Sequence, residues 1–214
     1  MSNYSKIKEI IMALNANELL NERIFFVGGT VPYLVSGTVS GRAHSDIDVI
    51  ADLRDMGMVR RYLKEAGLYD DALDTMTFAY NKEKKDYGIN CVIDGISVNF
   101  APFEAADNRL IQRNFLIKKK DGMDALAAVS MENLQLEECT AAFSVEQTVV
   151  WCYRLEMIKL MKEKSNKAKD KTDIKIIDDF GYDQAIYEQL KEKTENMKFK
   201  VIPKNKILRL LFRS

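Results

Sequence analysis

The segment Ser45-Asp46-Ile47-Asp48-Val49 constrains this chain more than any other. Acidic and apolar residues alternate there with a period of two. In a strand, residues two apart share a face. Ile47 and Val49 therefore face a core, and Asp46 and Asp48 project together from the other side. Two neighbouring carboxylates repel one another, and a divalent cation reverses that cost. Magnesium suits the pair, because it takes a few carboxylate oxygens, keeps several waters and accepts substrate phosphates. The plainer alternative is a solvated strand edge that carries two acids.

Upstream, Ile24-Phe25-Phe26-Val27 reads as a short strand stopped by Gly28-Gly29. Residues 30–36 read as a short helix, with Pro32 in the first turn, where a missing N–H costs little. Two glycines let the backbone turn sharply and approach a ligand closely. Free N–H groups at a helix start attract phosphate. On its own, a Gly-Gly after a strand is an ordinary turn signal.

The remaining periodicities define an α+β chain. Residues 4–20 carry apolar positions at helical spacing. A loop follows over 37–45, and a helix over 56–65 is closed by Gly67. Strands are expected at 75–80, 88–93 and 96–100, with Asp94-Gly95 as a two-residue hairpin signal between the last two. Residues 110–117 and 123–129 suit a second hairpin across 118–122. Residues 144–164 read as one long helix, apolar almost all round and so buried, with Ser144 and Gln147 resembling a capping box. Two more helices are expected at 171–180 and 182–191. The reading is thus a mixed β-sheet flanked by helices over 1–140. A C-terminal helical part, 141–214, packs on it.

Lys+Arg and Asp+Glu both total 32, so no global charge draws the chain to nucleic acid or an anionic membrane. Residues 198–214 carry six Lys or Arg and no acid. The reading there is a docked terminal element with a solvated basic face, the alternative a patch for an acceptor such as RNA. No run approaches the roughly 20 apolar residues of a membrane span, and the opening residues do not read as a secretory signal. Cys91, Cys139 and Cys152 are widely spaced and odd in number. Three reduced thiols in a cytoplasmic protein are expected. With His44 as the single histidine, a Cys/His zinc site is not expected.

Taken together, Gly-Gly after a strand and, some sixteen residues later, Asp-x-Asp within an apolar strand resemble the nucleotidyltransferase superfamily of the DNA polymerase beta-like fold. The match reads VGGTVPYLVSGTVSGRAHSDIDVIAD. A second match, Lys167-Ala-Lys169-Asp170-Lys-Thr-Asp173-Ile174, resembles the basic-x-Lys-Asp-x-x-Asp-Ile stretch that opens a C-terminal helix in small members. The resemblance implies a Mg²⁺-dependent nucleotidyltransferase using a nucleoside triphosphate. Asp46 and Asp48 would hold the metal, Gly28, Gly29 and Thr30 the terminal phosphates, with Arg42, Ser45 and Lys169 beside the nucleotide. Asp170 and Asp173 would brace their helix. Many members carry a further acid on a later strand, where this chain has Asn99. Glu104, just beyond, is the candidate base, while Asp86 and Asp94 are expected in turns. His44 is read as an exposed loop residue.

Three functions follow. The leading one is nucleotidyl transfer to an acceptor hydroxyl, more readily on a small molecule, as in antibiotic-modifying members, than on tRNA, as in toxin-type members. The second is a catalytically inactive nucleotide-binding module, motivated by Asn99. The third is a regulatory protein in which Gly-Gly and Asp-x-Asp are unrelated and lie apart.

Overall fold

The computed structural model describes residues 3–41, 43–78, 84–106, 109–118 and 124–203. Among them, ten strands join in one mixed sheet. Helix α1 (Tyr4–Ala16) precedes β1 (Ile24–Val27); a single 3-10 turn, Gly28–Thr30, then leads into α2 (Val31–Ser36). Next come β2 (Asp46–Asp52), α3 (Met56–Glu65), β3 (Asp74–Phe78), β4 (Lys84–Ile93), β5 (Ile96–Ala106), β6 (Arg109–Lys118) and β7 (Asp124–Glu132). The chain continues through α4 (Leu136–Cys139), β8 (Thr140–Val145), β9 (Thr148–Tyr153), α5 (Leu155–Ser165), α6 (Asp170–Phe180), α7 (Gln184–Thr194) and β10 (Lys198–Pro203).

The long strand β5 organises the sheet. One edge pairs in parallel with β2. The other pairs first with β4 and then, past Ala101, with β6. Beyond β2 the order runs β1, β9, β8, and beyond β6 it runs β7, β10. The hairpin read from Asp94-Gly95 is present, with both residues at positive φ. That is the conformation a two-residue turn requires. Pro32 lies in the first turn of α2 and Gly67 follows α3, as their chemistry predicts. The second hairpin also forms, as β6 with β7; its connection, residues 119–123, lies outside the described residues.

The long helix expected over 144–164 is instead a β8–β9 hairpin followed by α5. Ser144 and Gln147 therefore form no capping box. Thr148-Val149-Val150-Trp151 is a β-branched and aromatic run with apolar residues on both faces, Val150 buried and Val149 exposed, so its sequence shows no period of two to mark a strand. Its turn uses Glu146 and Gln147 at φ of 46° and 67°, with no glycine to announce it. β9 pairs in parallel with β1, so the expected helical part opens as sheet strands. It closes as one too, since β10 pairs with β7. Residues 204–214 lie outside the described residues.

The core runs between the sheet and its helices. Ile7, Ile11 and Leu14 of α1 pack with Ile24 and Phe26 of β1, Ile47, Val49 and Ile50 of β2, and Val98 and Phe100 of β5. Among the described residues, no helix is long and apolar enough to cross a membrane.

Candidate active site

The site starts from one pair of neighbours. β1 and β2 run antiparallel, with Val27 opposite Asp48. The next residue, Gly28, has φ +80°, and a Cβ there would lie 2.6 Å from Asp48 Oδ2. Any side chain at position 28 would thus occupy the space of the Asp48 carboxylate. Gly-Gly and Asp-x-Asp are one local structure, which removes the reading in which they lie apart. Thr30 completes the turn. Its Oγ1 is buried without a hydrogen-bond partner, a state that costs about 1–3 kcal/mol and suits a ligand oxygen.

Asp46 and Asp48 stand on one face of β2, about 6.6 Å apart along the strand. Ser45 Oγ donates to Asp46 Oδ1 at 2.9 Å. Asn99 lies opposite Asp48 across the parallel β2–β5 pairing, and its Nδ2 donates to Asp48 Oδ1 at 3.1 Å. Burial pushes the Asp48 carboxyl up to about 6, with the neighbouring Asp46 charge adding to it; Asn99, Lys169 and Lys162 pull it back. Ionised Asp48 is therefore disfavoured by about 3 kcal/mol. Ile47, Val49 and Ile50, each 0% exposed, anchor the same strand. At about 1.5–3 kcal/mol per side chain, their burial outweighs that cost and holds the acids in place.

Cations reach the acids from α5 and α6. Lys162, Lys167 and Lys169 line the same cleft as Gly28, Gly29, Thr30, Asp46 and Asp48. The cleft encloses about 320 Å³, within the range of small-ligand pockets. Asp170 accepts hydrogen bonds from the Ser165 hydroxyl and, at 3.1 Å, from the backbone N–H of Lys167. Asp173 is wholly buried and accepts from Lys162 Nζ at 2.5 Å. Both acids sit in the first turn of α6, near its positive end.

Several expected positions move. Glu104 does not line the cleft. It follows Asn99 by five residues on β5, roughly 16 Å along a strand, and an odd offset turns it to the opposite face. His44 is buried rather than exposed; its Nε2 meets Ser40 Oγ at 2.8 Å, and its ring stands edge-on to Tyr33. Ser45 acts on Asp46 and is not itself part of the cleft lining. Arg42 lies outside the described residues. Asp86 is within β4, not a turn, and is engaged by Arg60. Lys162, Gln112 and Tyr153 line the cleft without having been singled out by the sequence reading. Lys162 had a signal: it falls in spacing with Leu155 and Ile158 on the buried face of α5, where a charge requires a partner. Gln112 and Tyr153, joined by a 3.0 Å hydrogen bond, come from strands far apart in sequence and had none.

The donor set fits magnesium. Two carboxylates share a strand face, one of them half-buried and held above the usual carboxylate range by desolvation and its charged neighbour, with Gly28 leaving the space beside it open. Among the described residues, no group of three or more His, Cys, Asp or Glu side chains gathers as a metal site, so the remaining ligands would come from water and substrate.

The mixed sheet carries Gly-Gly beside an acidic pair in an α+β fold, and solved structures share that fold. The chain resembles the lincomycin-bound lincosamide antibiotic adenylyltransferase LnuA, at 15% identity and a TM-score of 0.53, over 81% of this chain and 97% of that one. It also resembles the antibiotic-resistance factor ANT(2'')-Ia in its solution structure, at 14% identity and a TM-score of 0.51, over 88% and 91% of the two chains. The ANT(2'')-Ia complex with adenylyl-2''-tobramycin matches at 14% identity and a TM-score of 0.51, over 88% and 97%. The chain shares the fold of these solved nucleotidyltransferases. No protein-family model and no curated protein sequence matches it.

Proposed function

We propose that this chain is an enzyme that transfers a nucleoside monophosphate from a nucleoside triphosphate to a hydroxyl group of a small molecule. The observation that carries the reading is Gly28 closed against Asp48, in a cleft that also holds Asp46, Thr30 and three lysines. Asp46 and Asp48 would hold magnesium, which supplies charge neutralisation on the triphosphate and alignment of attacking and leaving oxygens. Gly28, Gly29 and the Thr30 hydroxyl would bind the phosphates. Ser45 orients Asp46, and Lys169, exposed at the start of α6, would meet the nucleotide from the opposite wall. Positioning and electrostatics of this kind account for most of the acceleration in phosphoryl chemistry. The structural resemblance to adenylyltransferases that act on antibiotics supports a small acceptor.

A second reading, a nucleotide-binding module without turnover, is favoured by one observation. Asn99, an amide that cannot take a proton from an acceptor, occupies the position opposite Asp48 and binds it.

Thermal stability with each nucleoside triphosphate, with and without Mg²⁺, tests the proposal in wild type and in the Asp46→Ala/Asp48→Ala variant. A ligand at 100 times its dissociation constant adds about 2.7 kcal/mol. A magnesium-dependent gain lost in the variant identifies the site and the nucleotide, and pyrophosphate release with added acceptors then separates enzyme from module. No gain with any triphosphate refutes both.

A further inference from the structure

One buried carboxylate ties together three helices beside the cleft. Asp173, on α6, has 0% exposure. Its Oδ1 accepts from the Tyr33 hydroxyl at 2.9 Å, and its Oδ2 from Lys162 Nζ at 2.5 Å. Tyr33 is itself 1% exposed and lies on α2, the helix that continues from the Gly-Gly turn. Lys162 is on α5, buried, and lines the cleft; its ammonium also reaches Asp170 Oδ1 at 3.3 Å.

Stability alone is a poor reason for this arrangement. Buried ion pairs often contribute nothing net compared with apolar residues of the same volume. Their better-attested use is to specify one geometry. Lysine needs such help, because its ammonium rides on a flexible four-carbon stem. Tyr33 has little freedom of its own, packed edge-on to His44 with ring centroids 5.1 Å apart. The Tyr33 hydroxyl thus orients Asp173, and Asp173, with Asp170, fixes the Lys162 ammonium at the wall of the cleft that Asp46 and Asp48 also line.

We infer that Asp173, keyed by Tyr33, is a positioning residue that sets Lys162 against the outer phosphates of the bound nucleotide, so that the chain discriminates nucleotides by their phosphate number. The inference rests on the nucleotide reading above. It predicts that Asp173 acts only through Lys162, and that the effect grows from mono- to triphosphate.

The test measures Mg²⁺-dependent affinity for nucleoside mono-, di- and triphosphate in wild type, Lys162→Met, Asp173→Asn, Tyr33→Phe and the Lys162→Met/Asp173→Asn double variant. Loss of a charge-assisted contact should weaken triphosphate binding about tenfold or more in Asp173→Asn and in Lys162→Met, with the monophosphate within twofold of wild type. Tyr33→Phe keeps the ring packing, and should weaken the triphosphate by a smaller factor while leaving the monophosphate unchanged. It carries the test if Asp173→Asn does not fold. The double variant should be no weaker than Lys162→Met alone, the non-additivity of residues acting in series. Equal weakening of all three nucleotides, or additive losses in the double variant, would overturn the inference in favour of a merely structural role. A wild type that binds no nucleotide fails at the first measurement and overturns the functional reading along with it.

Discussion

Asp48→Asn is expected to stabilise the metal-free protein at neutral pH while abolishing its magnesium-dependent nucleotide response. The folded chain carries the Asp48 carboxyl from the usual 3.8 up to about 6, through burial first and then the Asp46 charge. A carboxyl raised in the folded state binds its proton more tightly there than in the unfolded chain. Its contribution is therefore fully present below about pH 4 and is lost as pH rises through about 6. Above that, the folded protein carries a penalty of about 3 kcal/mol, and near pH 5 about half of it. An amide has the shape of the protonated acid, keeps an oxygen for Asn99 Nδ2, and never ionises. Denaturant unfolding in chelator at pH 4, 5 and 8 should show the variant matching wild type at the lowest pH and exceeding it by up to about 3 kcal/mol at the highest. A magnesium titration at pH 8 should stabilise wild type alone. Equal stability of the two proteins at pH 8, or a variant advantage that does not change with pH, would refute the electrostatic account of the pair.

Other consequences are local. Gly28→Ala should cost about 1–3 kcal/mol in denaturant unfolding, because φ is +80° and the new Cβ falls 2.6 Å from Asp48 Oδ2. It should also weaken the Mg²⁺-nucleotide response by displacing that carboxylate. Arg60, 8% exposed, bridges Asp74 at 2.7 Å and Asp86 at 2.6 Å, pinning α3 to β3 and β4. Arg60→Ala leaves two largely buried acids uncompensated and should cost about 3–5 kcal/mol by the same measurement. Glu104→Gln should leave nucleotide affinity within about twofold of wild type by calorimetry, since an odd strand offset turns position 104 away from the Asp48 face.

The sequence by itself determined the local part of the site. Strand alternation is a short-range rule, so Ile47 and Val49 alone require Asp46 and Asp48 to emerge together. The Gly-Gly stop after Ile24–Val27, Pro32 at the head of α2, Gly67 after α3 and the Asp94-Gly95 turn are likewise decided within a few residues, by backbone conformations that most side chains resist. Where apolar residues occupy both faces of a strand and no glycine or proline marks its turn, that logic runs out. β8 and β9 show no clean alternation, and a turn made by Glu146 and Gln147 carries no glycine signal, so the segment mimics a buried helix. Only the tertiary structure decided how distant segments converge. Register between β2 and β5 sets Asn99 beside Asp48 and turns Glu104 away, and no spacing along the chain encodes which strands become neighbours. Lys162 and Tyr33 both meet Asp173 through the packing of three helices, because a charge excluded from water must find its partner wherever the fold brings one.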